Sequence, residues 1–199
     1  MAALAFDLDD TLFDRDHALR SMLEMWKGDR LSEEEWADIR TLDEGGQSPR
    51  RGFFRELALR FPSVGGISKR FRHELPAHIV KDPQLIGALA DLQSLGMPMA
   101  VLSNGNPAFQ MAKLKACGAA PFFRRDRILI SGSLGFEKPD PRAFTELASR
   151  LDLPTGQVLF IGNDPDRDID GALGAGMQAC LIRHPGELAN LLETSYSAA

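Results

Sequence analysis

Three carboxylates and a hydroxyl stand together near the start of the sequence, directly after an apolar run. Asp7, Asp9 and Thr11 occupy alternate positions, with Asp10 between the last two. The apolar run has the length of a buried strand, so we expect its carboxyl end to present Asp7 and Asp9. Crowded carboxylates resist ionisation unless a cation is near, and Mg²⁺ prefers oxygen ligands. The pattern therefore predicts a divalent metal site.

Further polar groups follow apolar runs later in the chain, and they suit the chemistry of a phosphate ester. They are Ser103 with Asn104, Lys138, and Asn163 with Asp164 and Asp168. A carboxylate can act as the nucleophile in phosphoryl transfer, and a second carboxylate can move the proton. A hydroxyl can hold the phosphoryl oxygens, and a lysine can offset their negative charge.

The elements that must bring these groups together are strands alternating with helices. Apolar runs at 97–102, 127–131, 157–161 and 178–182 predict strands, with helices between them. Such alternation predicts right-handed crossovers and a parallel sheet, in which ligands bind at the carboxyl ends of the strands. Each polar group follows one of these predicted ends, so we expect the groups to converge.

Residues 14–81 have a different pattern and predict a helical insertion between the first strand and the rest of the α/β core. Ser32 and Glu35 have the spacing of a capping box, and Gly45-Gly46 predicts the end of that helix. Ser48-Pro49 predicts the start of another helix. The predicted organisation is therefore a core of residues 1–13 and 82–199 and a helical domain of residues 14–81. Ile67, Phe71, Leu75 and Ile79 recur every fourth residue across a segment that Pro76 is expected to kink or divide.

Composition limits the classes of function. The 199 residues carry a net charge of −5 without a block of Lys or Arg, which argues against nucleic-acid binding. No apolar stretch reaches the roughly 18 residues of a membrane span, and no basic leader precedes the first apolar run. Cys117 and Cys180 lack metal-ligand spacing and read as reduced core thiols. We therefore expect a cytoplasmic protein without membrane or nucleic-acid partners.

Four ordered motifs resemble those of the haloacid dehalogenase-like hydrolase superfamily, most of whose members are Mg²⁺-dependent phosphatases. Phe-Asp-Leu-Asp-Asp-Thr-Leu at 6–12 resembles the first motif, and Leu-Ser-Asn-Gly at 102–105 is similar to the second. Gly-Phe-Glu-Lys-Pro-Asp-Pro at 135–141 looks like the third, and the segment 161–172 looks like the fourth. The resemblance implies an α/β fold with a Rossmann-like parallel sheet core flanked by helices. It also implies that the helical insertion is a C1-type cap, which selects the substrate.

The resemblance further implies a role for each motif residue. Asp7 would be the nucleophile, Asp9 the general acid and base, and Lys138 the catalytic cation. Thr11, Ser103 and Asn104 would bind the substrate, together with Arg50 and Arg51 from the turn between two cap helices. Mg²⁺ is the implied cofactor, with Asp7, Asp9 and Asp164 as its predicted ligands. The implied partner is a small phosphorylated metabolite, and the oligomeric state stays open.

The fourth motif departs from the common pattern, because Asn163 stands where many relatives have Asp. The metal ligand from this turn is then Asp164, Asn163, or both, and we favour Asp164 because a carboxylate neutralises Mg²⁺ better than an amide does. Asp168 is predicted to orient Lys138 or a metal-bound water.

Alternative functions stay open on the same scaffold. A sugar-phosphate mutase differs mainly in how the cap excludes water, and a non-catalytic phosphate-binding or regulatory member would tolerate Asn163. A dehalogenase would not need Asp9. A phosphonate hydrolase would need a cap lysine, and the insertion offers only Lys27 and Lys69. A phosphoacceptor receiver domain would place its Asp on a middle strand of the sequence and lack the insertion. A phosphatase acting on a small phosphomonoester is the favoured function.

Overall fold

The first strand is the middle of a parallel sheet in the computed structural model, which describes residues 2–196. Beside β1 (Ala3–Phe6) lies β2 (Met99–Ser103), followed by β3 (Ile128–Ile130); on the other side lie β4 (Val158–Gly162) and then β5 (Gln178–Leu181). All four pairings are parallel. This arrangement confirms the predicted Rossmann-like α/β fold.

The position of β1 follows from its composition. All four of its side chains are fully buried, as expected of a parallel strand that is covered on both faces. Leu4 lies opposite Met99 of β2 and Leu159 of β4, so the first strand pairs on both sides with segments far along the chain. The residues that follow β1 therefore lie at the centre of the carboxyl edge of the sheet.

The chain divides into two compact units. The α/β unit runs to Asp14 and resumes at Val80, and the helical unit comprises Arg15–Ile79. The helices of the helical unit are α1 (Arg15–Lys27), α2 (Glu33–Asp43), α3 (Arg50–Arg60) and α4 (Ile67–Glu74).

The start of α2 confirms the predicted capping box. Glu35 donates its backbone N–H to the Ser32 hydroxyl at 3.1 Å, and Ser32 donates its own N–H to the Glu35 carboxylate at 2.7 Å. After α2 the backbone turns through positive φ at Glu44, Gly45 and Gly46, which ends the helix where the glycine pair predicts.

The predicted start of α3 at Ser48 is wrong by one residue. Pro49 occupies the N-cap position and cannot cap with its side chain, while the Ser48 hydroxyl accepts a hydrogen bond from Arg50 at 2.6 Å. Pro76 does divide its segment, because α4 ends at Glu74 and a 3-10 turn, Leu75–His78, follows. The four apolar residues that recur in this segment are buried.

The remaining helices flank the sheet in the α/β unit. They are α5 (Pro83–Ser94), α6 (Pro107–Ala116), α7 (Ser131–Leu134), α8 (Pro141–Leu151), α9 (Gly171–Gly174) and α10 (Pro185–Tyr196). Asp82, Asn106 and Asp140 cap α5, α6 and α8 through their side chains, and each precedes a proline at the first helical position. The rings of Phe144 on α8 and Phe160 on β4 pack edge to face, with their centres 5.1 Å apart.

Two local features differ from the predictions. The helix expected after β4 begins instead as a π-helical turn, Pro165–Asp170, before α9. The two cysteines also differ from each other, since Cys117 is buried in the core whereas Cys180 is only half-buried. No helix in the described part of the chain is both long and apolar enough to cross a membrane.

Candidate active site

The polar groups that follow β1, β2 and β4 meet at one edge of the sheet. These three strands are neighbours and parallel, so their carboxyl ends lie side by side. Asp7 comes directly after β1 and donates its N–H to the carbonyl of Ile161 in β4 at 2.9 Å. Ser103 is the last residue of β2. The predicted convergence is therefore present in the fold.

A buried lysine links two of the predicted carboxylates. The Nζ of Lys138 lies 2.5 Å from Asp7 Oδ1 and 2.6 Å from Asp168 Oδ1. Lys138 is 3% exposed, Asp7 7% and Asp168 1%. We call these three residues the strand-end cluster. The contact between Asp168 and Lys138 is one of the two roles predicted for Asp168.

Asn104 holds the backbone that carries Lys138. Its Nδ2 donates to the Lys138 carbonyl, and its Oδ1 accepts the Lys138 N–H, each at 2.9 Å. The family resemblance implies a substrate-binding role for Asn104, but both ends of its amide are occupied by this loop. The sequence pattern does not indicate this contact, because the two residues are 34 positions apart and only the fold brings the loop of Lys138 to Asn104.

Asp168 is fixed from its other side by the turn after β4. Its Oδ2 accepts the backbone N–H groups of Asn163 and Asp164, both at 3.1 Å. Any side chain at Gly162 would overlap the Asp168 carboxylate, which explains the glycine at this position. Asp164 in turn accepts the N–H groups of Asp166 and Arg167 through Oδ1, at 3.0 and 2.9 Å. The carboxylates of Asp164 and Asp168 thus stabilise the turn by accepting its backbone N–H groups.

Burial and neighbouring charges make Asp7 unusual. The pKa of Asp7 is raised to about 7: burial raises it most, Lys138 lowers it, and the carboxylates of Asp168 and Asp9 raise it. For Lys138, burial acts to lower the pKa, but the Asp7 and Asp168 carboxylates outweigh it and the pKa is raised. The site therefore keeps a charged lysine beside more carboxylate charge than this one cation balances.

Asp9 accepts hydrogen bonds from two residues that the sequence patterns do not identify as part of the site. Lys113 Nζ lies 2.6 and 2.5 Å from the two carboxylate oxygens of Asp9, and Gln110 Nε2 lies 2.9 Å from Oδ2. Gln110 also lies 2.6 Å from Ser103 Oγ. The available signal was their spacing of three residues on α6, which places two polar side chains on the face that also buries Leu114.

The other predicted substrate-binding residues are placed differently. Thr11 is fully buried, and within residues 2–196 its hydroxyl has no hydrogen-bond partner. Arg50 belongs to the helical unit and donates to Asp43 and to Ser48. Arg51 is exposed on α3. Their contact with a substrate stays a prediction.

The sequence profile of one known family covers most of the chain. The profile of the haloacid dehalogenase-like hydrolases matches residues 1–176. The chain belongs to this family. A glyceraldehyde 3-phosphate phosphatase of Methanopyrus kandleri is 31% identical to this hydrolase over 91% of the chain and 83% of its own length.

Two further comparisons extend the likeness. A phosphoserine phosphatase of Thermus thermophilus is 34% identical over 71% of the chain and 51% of its own length. The structure of the Bacillus subtilis HAD-hydrolase YfnB, solved with bound magnesium, matches with a TM-score of 0.73 at 23% identity, over 96% of this chain and 97% of that one. This structure supports the fold of the hydrolase.

The donor set of this hydrolase fits a hard cation only in part. Within residues 2–196, no group of three or more His, Cys, Asp and Glu side chains is arranged to hold a metal ion, and the predicted ligands Asp7, Asp9 and Asp164 form no such group. Mg²⁺ commonly takes only one or two protein carboxylates and completes its shell with water and phosphate. The buried, anion-crowded carboxylate of Asp7 fits one such ligand.

Proposed function

We propose that this hydrolase is a Mg²⁺-dependent phosphatase that cleaves a small phosphomonoester through an aspartyl-phosphate on Asp7. The observation that carries the proposal is the buried carboxylate of Asp7, which lies at the end of the central strand 2.5 Å from the ammonium group of Lys138. A fixed carboxylate beside a fixed cation suits attack on an anionic phosphorus centre.

The reaction divides into two steps with one proton carrier. In the first step an oxygen of Asp7 attacks phosphorus, the bond to the leaving oxygen breaks, and Asp9 supplies that oxygen with a proton. In the second step Asp9 takes a proton from water, whose oxygen attacks phosphorus and releases Asp7 and inorganic phosphate. Lys138 offsets the charge on Asp7 and on the phosphoryl oxygens, and Ser103 binds those oxygens.

The proposed cofactor is Mg²⁺, held by Asp7 and Asp164 with Asp9 as the third predicted ligand. When bound, it neutralises charge on the phosphoryl group and orients that group for attack. The raised pKa of Asp7 supports a cation at this position, because added positive charge favours the ionised nucleophile. Asn104 serves the same nucleophile indirectly, by fixing the loop of Lys138.

We propose that the helical unit is the C1-type cap and selects the substrate. The predicted cap is 14–81 and the compact helical unit is Arg15–Ile79. Arg50 is engaged by Asp43 and Ser48, so the exposed Arg51 is the better candidate for contact with an anionic substrate. The names of the relatives support a small phosphorylated metabolite as the substrate.

The test is phosphate release from a panel of esters, measured with Mg²⁺ and again with EDTA. The panel contains glyceraldehyde 3-phosphate, phosphoserine, a hexose phosphate, a nucleoside monophosphate and p-nitrophenyl phosphate. We expect release from at least one ester with Mg²⁺ and loss of that release with EDTA. Acid quenching followed by hydroxylamine should trap the acyl phosphate on the peptide that contains Asp7.

The outcomes separate the alternatives. Conversion of a sugar phosphate to its isomer without phosphate release would indicate a mutase. Release that persists in EDTA would remove Mg²⁺ from the mechanism. Hydrolysis without any hydroxylamine-reactive species on Asp7, even when the reaction is quenched within the first turnover, would contradict the covalent step.

A further inference from the structure

Helix α6 places a buried amide and a buried ammonium group against Asp9. Gln110 and Lys113 are each 3% exposed and lie three residues apart, on successive turns of the same face. The ammonium group contacts both carboxylate oxygens of Asp9, at 2.6 and 2.5 Å. This geometry fixes the direction of the carboxylate more firmly than contact with one oxygen would.

Stability is a weak explanation for this pair. The Lys113 side chain is 3% exposed and that of Asp9 22%, and taking a charged pair largely out of water costs desolvation energy that the attraction between the charges only roughly offsets. The Lys113 ammonium group also lies 4.7 Å from the centre of the Phe109 ring and 6.0 Å from that of Phe13, and the residue is buried, so the charge has been taken out of water. A requirement for position explains this arrangement better than one for stability.

Gln110 extends the arrangement to the second motif. Its Nε2 lies 2.9 Å from Asp9 Oδ2, 2.6 Å from Ser103 Oγ and 3.0 Å from the carbonyl of Asn104. An amide nitrogen has two hydrogens, so it cannot satisfy three acceptors equally well. The orientation of the Asp9 carboxylate is therefore linked to that of the Ser103 hydroxyl.

We propose that Gln110 and Lys113 are positioning residues, which hold the Asp9 carboxylate in register with the Ser103 hydroxyl for proton transfer to the leaving oxygen. The proposal rests on the proposed function, since it assigns proton transfer to Asp9. A misplaced proton donor is ineffective even when it is chemically intact. The two residues act through Asp9 and do not themselves contact the reacting atoms.

A double-mutant cycle tests the proposal. Lys113→Met keeps the length of the side chain and removes its charge, and Lys115→Met is the matched control on the exposed face of the same helix. We expect Lys113→Met to lower kcat by about 30- to 100-fold with KM nearly unchanged, as misplacement of a catalytic group does. In the Asp9→Asn background the same change should lower kcat by less than about threefold, because the effects of two residues that act through one contact do not add.

The leaving group gives a readout that a structural defect would not change. Phenyl phosphate and p-nitrophenyl phosphate have similar shapes, but only the phenolate of the first strongly requires a proton. Lys113→Met and Gln110→Met should therefore slow phenyl phosphate more than p-nitrophenyl phosphate, as should Asp9→Asn. An equal loss on both esters, or an equal loss in the wild-type and Asp9→Asn backgrounds, would overturn the proposal.

A measurement without turnover separates failure of this proposal from failure of the proposed function. Buried lysine ammonium groups give resolved ¹⁵N signals, and the Lys113 signal should move in Asp9→Asn but not in Asp166→Asn, which changes an exposed acid. An unmoved signal would overturn the contact itself. If the signal moves but the wild type hydrolyses neither aryl phosphate nor any other ester of the panel, the proposed function fails and this role fails with it. Gln110→Met keeps the test available if Lys113→Met does not fold.

Discussion

Each of the two units contains a buried carboxylate in contact with cations, and the balance of charge differs between them. In the helical unit, Asp43 is 1% exposed and contacts two guanidinium groups. Arg15 lies 2.5 and 3.1 Å from its two oxygens, and Arg50 lies 2.9 Å from Oδ1. In the strand-end cluster, Asp7 and Asp168 instead share the single ammonium group of Lys138.

This difference gives the two carboxylates opposite properties. Burial acts to raise the pKa of Asp43, but Arg15 and Arg50 outweigh it and the pKa is lowered. Burial of Asp7 is not outweighed, and its pKa rises to about 7. An excess of cations produces a carboxylate that is charged and fully bonded, which is suited to holding helices together. An excess of carboxylates produces a site that favours further positive charge, which is suited to phosphate chemistry.

The largest effect on this comparison is expected from Asp7→Asn. The amide has the shape of the carboxylate but is not a nucleophile, so turnover should fall at least about a thousandfold. The thermal midpoint at pH 8 should stay equal or rise. Between pH 3.8 and about 7 the folded state retains a proton on Asp7 that the unfolded state loses, so this group lowers stability as pH rises.

Phosphate release and a thermal melt measure the two parts of this prediction. Asp166→Asn is the matched control, because it makes the same chemical change at an exposed position of the neighbouring turn. Turnover in Asp7→Asn equal to that of the control would remove Asp7 as the nucleophile. A large drop in the midpoint would show that the strand-end cluster stabilises the fold as the Asp43 cluster does.

The second prediction addresses the helical unit. Asp43→Asn leaves the buried Arg15 without its anionic partner, and breaking a buried ion pair in this way costs about 3–5 kcal/mol. Urea unfolding at pH 7 should show this loss in the free energy of unfolding. Asp38→Asn, on the exposed face of the same helix, should change it little. If the two variants are equally stable, Asp43 has no stabilising role.

The pH dependence of stability gives a second check on Asp43. Because its pKa is lower in the folded state, its contribution is fully present above the ordinary value of 3.8 and is lost as pH falls through the lowered value. The difference in the free energy of unfolding between the wild type and Asp43→Asn should therefore shrink at the acid end of the titration. An advantage that stays constant as the pH falls below that range would contradict the assignment.

Much of this arrangement could be predicted from the sequence, since local patterns encode it. The apolar run before Asp7 predicts the buried strand, and Ser32 with Glu35 predicts the start of α2. The contact between Lys138 and Asp168 could also be predicted, because both residues lie in recognisable motifs. The first two predictions use only the composition and spacing of neighbouring residues, and the third follows from the family resemblance.

The contacts that sequence reasoning missed depend on where distant segments meet. Asp9 and Lys113 are 104 positions apart, and nothing local to α6 identifies a carboxylate as the partner of that lysine. Asn104 is similar, because its amide is used by a loop that the fold brings to it. The spacing of Ser48 and Pro49 is misleading for another reason, since the serine hydroxyl accepts a hydrogen bond from the Arg50 guanidinium group and not from a backbone N–H of the helix.

The smallest effect is expected from Asp168→Asn, which keeps Asp7 and Lys138 but removes one of the two carboxylates that hold the lysine. Asp168 uses one oxygen for Lys138 and the other for the N–H groups of Asn163 and Asp164. An amide has only one oxygen and must abandon one of these tasks. We expect kcat to fall about a hundredfold, as for a misplaced catalytic group, with KM nearly unchanged.

Asp170→Asn is the control for this variant, because it alters an exposed acid two residues away. Steady-state kinetics on the same ester should then rank the variants by their distance from the reacting atoms, with Asp7→Asn below Asp168→Asn and the control at the wild-type level. If Asp168→Asn is as active as its control, the single contact with Asp7 is enough to hold Lys138. Asp168 would then act on the site only through its negative charge, which raises the pKa of Asp7, and the position of Lys138 would not depend on Asp168.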